Sequence, residues 1–138
     1  MTLSKPTGIS ISIALLLAMT TCLPAFAGSR ALGTVVGSTN ATLDGQQLVP
    51  DALVFSGQAI AVGDGAAMVT LAEGSRLIFG RDTTAVFQRE EIEPAVILTG
   101  GSLSIYHESD AQTLRIRAGD VSVMPEFGFK TVGEIAML

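Results

Sequence analysis

The chain of 138 residues contains no tryptophan and only one tyrosine, one histidine and one cysteine. Cys22 lies in the apolar N-terminal segment, so the residues after it have no disulfide, thiol nucleophile or cysteine-ligated metal available. Basic residues are spaced singly and are outnumbered, since 8 Lys and Arg face 13 Asp and Glu. Nucleic acid is therefore not an expected partner, because a phosphate backbone is bound by clustered basic side chains.

The N-terminal segment, residues 1–27, has the features of a secretory leader. Lys5 supplies the early positive charge, and an apolar run of 11 residues extends from Ile9 to Met19. Ala25 and Ala27 are the small residues expected at a signal-peptidase cleavage site. The run is shorter than the roughly 20 residues of a membrane-spanning helix, although an uncleaved anchor remains the alternative. Lipid attachment at Cys22 fits less well, because Thr21 and not Gly or Ala immediately precedes it. We expect an exported protein, periplasmic or secreted.

Residues 28–138 have the pattern of one all-β domain. Gly and Asp recur at short intervals, and the runs between them are rich in Val, Ile, Leu and Thr. Polar and apolar residues alternate in Ser102–Tyr106 and in Leu114–Ala118, as in half-buried strands. The best helix candidate, Gln88–Glu93, stops before Pro94 and predicts at most one helical turn. The pattern predicts about ten short, mainly antiparallel strands in a sandwich, roll or β-helix-like domain.

Two glycine-containing segments are interpreted as tight turns. Glu73-Gly74-Ser75 separates two apolar runs and predicts a hairpin. Gly63-Asp64-Gly65 is also interpreted as a hairpin turn, with Asp64 in solvent. A calcium-binding turn is the weaker alternative, because such turns act in repeated arrays and this one is single.

Three segments, taken in order, resemble the FecR-like domain, the periplasmic β-rich module of iron-dicitrate signalling. Ala59–Gly63 followed by residues 66–71 is similar to the first strands of that family, and Ala72–Leu77 resembles its Gly-Ser turn. Leu98–Ile105 resembles its L-x-x-G-x-L-x-V element, and the resemblance covers Leu53–Val132. It implies an all-β envelope module that binds another protein.

The chain also departs from a full FecR-type regulator. Only eight residues precede the apolar run, too few to bind a sigma factor, so anti-sigma activity is not expected. The family's C-terminal extension, which meets an outer-membrane receptor, is not seen, and residues 134–138 are mostly apolar. We interpret this segment as a truncated or partner-completed last strand, whose edge binds a partner or a second copy. Ile135 and Met137 are its candidate contact residues.

The residues that could serve catalysis do not form a complete set. His107 is interpreted as a surface histidine at a strand end, with Glu108 on the opposite face, which leaves no metal site. A serine triad would depend on the same histidine, and no Gly-x-Ser-x-Gly elbow occurs. Glu90, Glu91 and Glu93 are expected to form a hydrated acidic turn. We therefore expect no enzymatic activity and no cofactor.

Arg115 and Arg117 are the remaining candidate binding residues. They share one face of a predicted strand and could bind an anionic ligand or an acidic partner, although solubility alone also explains them. The expected function is a non-catalytic binding, signalling or structural module of the cell envelope, whose partner is an unidentified envelope protein. Membrane contact is expected only through an uncleaved leader. A stand-alone small-molecule or glycan-binding β-sandwich is the alternative, and the low aromatic content argues against the glycan.

Overall fold

The computed structural model describes residues 30–138 except Glu73 and Phe127. These residues form β-strands and no helix, which confirms the predicted all-β domain. The eleven strands are β1 (Gly33–Leu43), β2 (Gln46–Gln47), β3 (Leu53–Val54), β4 (Ala59–Leu71), β5 (Arg76–Phe79), β6 (Thr84–Glu90), β7 (Glu93–Gly100), β8 (Ser102–His107), β9 (Arg115–Ala118), β10 (Val121–Val123) and β11 (Thr131–Ala136).

The longest strand, β4, belongs to both halves of the sheet. Its first half pairs with β6, which leads through β7 and β9 to β10, and we call this half the first wing. Its second half pairs with β5, which leads through β8 to β11, and we call this half the second wing. β1 lies antiparallel along β4 and is paired with β2 and β3 as well. Neighbouring strands are antiparallel except β7 and β9, which are parallel.

A bend in β4 separates the two wings. Ile60 and Val62 are buried in its first half, whereas the buried positions of its second half begin at Ala67. The alternation therefore changes phase across Gly63-Asp64-Gly65, where the β1–β4 register is irregular and Asn40 of β1 has φ 52°. Because the phase changes, both halves of β4 direct their apolar side chains into the same core.

This bend corrects the interpretation of Gly63-Asp64-Gly65 as a hairpin turn. The segment stays inside β4, and β1 runs past it without reversal. A Cβ atom on Gly65 would meet the carbonyl oxygen of Thr39, so glycine permits the two backbones to approach here. Asp64 is exposed, as expected, and its carboxylate lies 3.0 Å from Nε of Arg81.

One hydrophobic core lies between the wings and draws side chains from both. Phe79 of β5 and Phe87 of β6 are fully buried and meet edge to face, with ring centroids 5.6 Å apart and planes at 73°. This geometry matches the quadrupoles of the two rings. The pair therefore connects β5 of the second wing with β6 of the first wing.

The sequence predicted at most one helical turn in Gln88–Glu93. The segment instead forms the β6–β7 hairpin. β6 ends at Glu90 and β7 begins at Glu93, with Glu91 in the left-handed region at φ 57°. Pro94 lies inside β7 opposite Arg89. Cross-strand pairing and the apolar run that follows Pro94 outweigh the weak local preference for a helical turn.

Candidate functional site

The β11 strand presents an edge that pairs with no other described strand. β8 pairs with one side of β11, and β11 ends the strand order of the second wing. The Met137 amide donates a hydrogen bond to the Gly101 carbonyl, at 2.8 Å. Met137, and every second residue before it, therefore directs its backbone groups toward β8. Because N–H and C=O groups point to alternate sides along a strand, Val132, Glu134 and Ala136 direct theirs away from β8. These three residues form the free edge.

The free edge carries little of the protection that sheet edges usually have. Proteins blunt such edges with lysine, proline, bulges or very short strands. The opposite end of the sheet, β10, has only 3 residues, whereas β11 has 6, contains neither lysine nor proline, and carries Glu134 as its one charged residue. Its pairing with β8 is regular, and the Val132 side chain is 60% exposed. The edge is therefore geometrically open to an added strand.

The structure separates the two C-terminal candidates, Ile135 and Met137. Ile135 is half-buried and packs against the core, so its side chain supports β11 and does not face a partner. Met137 is exposed, and its terminal methyl lies 4.0 Å from where a Cβ on Gly119 would stand. The surface that the edge offers consists mainly of the backbone of Val132, Glu134 and Ala136. Glu134 and Ala136 belong to the C-terminal segment that was predicted to bind a partner, whereas Val132 precedes it.

Arg115 and Arg117 lie on one face of β9, as predicted, and both contact Glu90. The Glu90 carboxylate is 2.8 Å from Arg117 and 3.4 Å from Arg115, and the Glu93 carboxylate is 4.0 Å from Arg115. The parallel pairing of β9 with β7 brings the arginines beside the acidic hairpin. The arginine pair and the glutamate cluster, which were interpreted separately, thus form ion pairs with each other. The arginines therefore have anionic partners within the domain.

A second polar cluster lies on the outer face of the second wing, beside the start of β11. Thr70, Arg76 and Tyr106 stand directly opposite one another on β4, β5 and β8. With Gly74, Glu108 and Lys130 they line a cavity of about 220 Å³. No sequence pattern predicted this cluster, because its residues are far apart along the chain and only the strand register aligns them.

His107 is buried, so its interpretation as a surface histidine was wrong. Its Nδ1 lies 2.6 Å from the hydroxyl oxygen of Ser75, the residue that precedes β5. The exposed fraction is 1% for Ser75 and 3% for His107. A serine and a histidine enclosed in this way cannot receive a substrate, and the hydrogen bond instead satisfies two polar side chains inside the protein.

Removing this buried hydrogen bond is expected to destabilise the domain. Ser75→Ala leaves Nδ1 of His107 without its partner, which costs about 1–3 kcal/mol in free energy of unfolding. Ser104→Ala is the control, since Ser104 is half-buried on the outer face of β8. Urea denaturation of both variants measures the difference. Equal midpoints for the two variants would contradict the structural role of the Ser75–His107 pair.

Other candidate features fall outside the structure or are not found in it. Ala25, Ala27 and the rest of the predicted leader lie outside the described residues. Among the residues that are described, there is no group of three His, Cys, Asp or Glu side chains arranged to hold a metal ion. Nor does this part of the chain contain a helix with the length and hydropathy needed to cross a membrane.

Comparison with known proteins identifies no relative for this chain. No family model, no curated protein and no solved structure matches it. The resemblance to the FecR-like domain thus stands on the sequence segments that carry it, and the function is argued from the free edge of β11 and the surfaces around it.

Proposed function

We propose that the chain is an exported, non-catalytic FecR-like β-domain that binds an envelope protein by accepting one of its strands along β11. The observation that carries this proposal is the free edge, where three residues direct their backbone N–H and C=O groups outward. Strand addition of this kind derives affinity from main-chain hydrogen bonds and specificity from alternate side chains.

The side chains of β11 define the strand that fits best. Val132, Glu134 and Ala136 are exposed on the outer face of the sheet. Opposite-charge and apolar cross-strand pairs stabilise a sheet, whereas like charges directly opposite destabilise it. The expected partner strand therefore carries a Lys or Arg opposite Glu134, with apolar residues two positions away on either side.

A proline at residue 134 is expected to abolish partner binding without disrupting the domain. The amide of Glu134 points away from β8, so Glu134→Pro removes an edge donor and keeps the β8 ladder intact. Glu134→Ala is the matched control, since it removes the charge and keeps the amide. In pull-downs from envelope extracts, we expect recovery of the partner with wild type, weaker recovery with Glu134→Ala and none with Glu134→Pro.

Two further variants make this test decisive. Val132→Lys places a charge on the same edge without altering the backbone, and it is expected to reduce recovery as well. Deletion of residues 134–138 removes Glu134 and Ala136, two of the three edge residues. Circular dichroism checks that each variant is folded. Equal recovery by wild type and Glu134→Pro would refute strand addition at β11.

The glycan-binding alternative has little support in the described cavities. Sugar rings are commonly held against aromatic faces, and among the residues that line these cavities Tyr106 is the one aromatic side chain. An apolar groove of about 270 Å³ beside the bend is lined by aliphatic and small side chains such as Val36, Met68 and Ile78. Protein recognition through the edge agrees better with these surfaces.

A further inference from the structure

The pocket on the second wing gathers hydrogen-bond donors from three adjacent strands. Arg76 of β5 stands opposite Thr70 of β4 on one side and Tyr106 of β8 on the other. Residues directly opposite in neighbouring strands share a face, and the strands lie about 4.8 Å apart. A hydroxyl, a guanidinium and a phenol therefore form one row on the outer surface.

Two residues at the end of the β8–β11 ladder complete the pocket. His107 pairs with Thr131, and Glu108 and Lys130 lie immediately beyond this pair on the two strands. Both line the cavity of about 220 Å³ together with the row of Thr70, Arg76 and Tyr106. The site is thus open to solvent and carries two cationic side chains and one anionic side chain.

The cationic side chains of the pocket differ from Arg81, Arg115 and Arg117 in their partners. Arg81, Arg115 and Arg117 each contact a carboxylate within 4.0 Å. Arg76 and Lys130 form no such contact with any side chain in the part of the chain that the structure describes. Among the described residues, no carboxylate is bound to either of their N–H groups.

We propose that this pocket binds a small molecule through a carboxylate or phosphate group. The guanidinium of Arg76 donates two parallel hydrogen bonds to the oxyanion, and Lys130 adds a second positive charge. The hydroxyl groups of Thr70 and Tyr106 donate from either side. The volume fits a ligand smaller than a typical drug molecule, for which pockets are about 300–1,000 Å³. Glu108 limits the net charge and disfavours ligands with several anionic groups close together.

This proposal is independent of strand addition at β11 and is tested with protein purified from cells that express the full chain. Inorganic phosphate and succinate are titrated separately, in a buffer free of both, at constant ionic strength. Isothermal calorimetry or amide chemical shifts report binding. We expect saturable binding of at least one probe, and the tighter of the two identifies the preferred oxyanion.

Variants locate the binding in the pocket. Arg76→Gln is expected to weaken affinity about tenfold or more, because a hydrogen bond to a charged group is lost. Tyr106→Phe is expected to weaken it by a smaller factor. Arg81→Gln is the matched control, since Arg81 is exposed and lies past the other end of β5, and it should leave affinity unchanged. Glu108→Gln should tighten binding, because it removes a negative charge beside the ligand.

Two outcomes would overturn the proposal. The first is the absence of saturable binding of both probes up to about 10 mM, a concentration that would detect even weak sites. The second is an equal affinity in wild type and Arg76→Gln, with both proteins folded. The edge variant Glu134→Pro should bind the oxyanion normally, so that failure of the pocket and failure of the β11 edge remain distinguishable.

Discussion

Replacing Phe87 with alanine is expected to lower the free energy of unfolding by about 3–5 kcal/mol. Phe87 is fully buried and packs edge to face on Phe79, so truncation removes the aromatic contact and leaves a cavity between the wings. Small domains are stable by only about 5–15 kcal/mol, and the loss is therefore a large share of the total. Chemical denaturation followed by circular dichroism measures it.

The control for this prediction is Phe129→Ala. Phe129 is 62% exposed, so its truncation should change stability by no more than about 0.5 kcal/mol. Phe79→Ala and the double variant complete a mutant cycle, which should show a coupling of about 0.5–1.5 kcal/mol between the rings. A loss below about 1 kcal/mol in Phe87→Ala would mean that the wings do not share a close-packed core.

Gly65→Ala is expected to cost about 3 kcal/mol, at the upper end for overpacking. The new Cβ atom would fall on the Thr39 carbonyl oxygen and within 3.2 Å of Cβ of Asn40, so β1 and β4 must separate at the bend. The clash involves backbone atoms, which cannot rotate away as a flexible side chain can. Since the bend directs both halves of β4 into one core, its distortion is transmitted to both wings. Thermal unfolding and urea denaturation report the loss.

Gly37→Ala provides a matched control on the partner strand. A Cβ atom on Gly37 would meet no atom within 4 Å, and Gly37 has no positive φ. Alanine should therefore be tolerated within about 0.5 kcal/mol, or stabilise slightly by restricting the unfolded chain. If both glycine variants had the same stability, close approach of β1 and β4 at Gly65 would not be what maintains the bend.

Most strands could be predicted from the sequence, because burial of one sheet face makes apolar and polar residues alternate with a period of two residues. Ser102–Tyr106 and Leu114–Ala118 alternate clearly, and these segments correspond to β8 and β9. The hairpin predicted around Gly74 is confirmed, since β4 and β5 are antiparallel and Gly74 has φ 102° between them. These features depend on residues near one another in the chain.

The errors arose where a local pattern has two meanings. Gly63-Asp64-Gly65 has the composition of a turn, yet β1 pairs with β4 on both sides of it and keeps the chain extended. His107 follows an alternating strand and precedes polar residues, which is also typical of a surface position. Its burial depends on Ser75, 32 residues earlier, and on the folding of the second wing around it.

The candidate sites were predictable only in part. Arg115 and Arg117 were identified correctly as neighbours on one face, because they are two residues apart on a strand. Their ion pairs with Glu90 depend on the parallel pairing of β9 with β7, which no local sequence pattern predicts. The row of Thr70, Arg76 and Tyr106 likewise requires the register of three strands.

The small number of histidine and cysteine residues in the sequence determined which chemistry the described domain lacks. With one histidine in the chain and its single cysteine at residue 22, thiol chemistry and a histidine-rich metal site in residues 30–138 are excluded by composition alone. Alternation likewise determined the all-β class, because it reflects burial along one strand. The tertiary structure decided that His107 is enclosed, that β11 has a free edge and that Arg76 and Lys130 share a pocket. These outcomes depend on pairings between distant segments, whose register is set by the closing of one core around both wings.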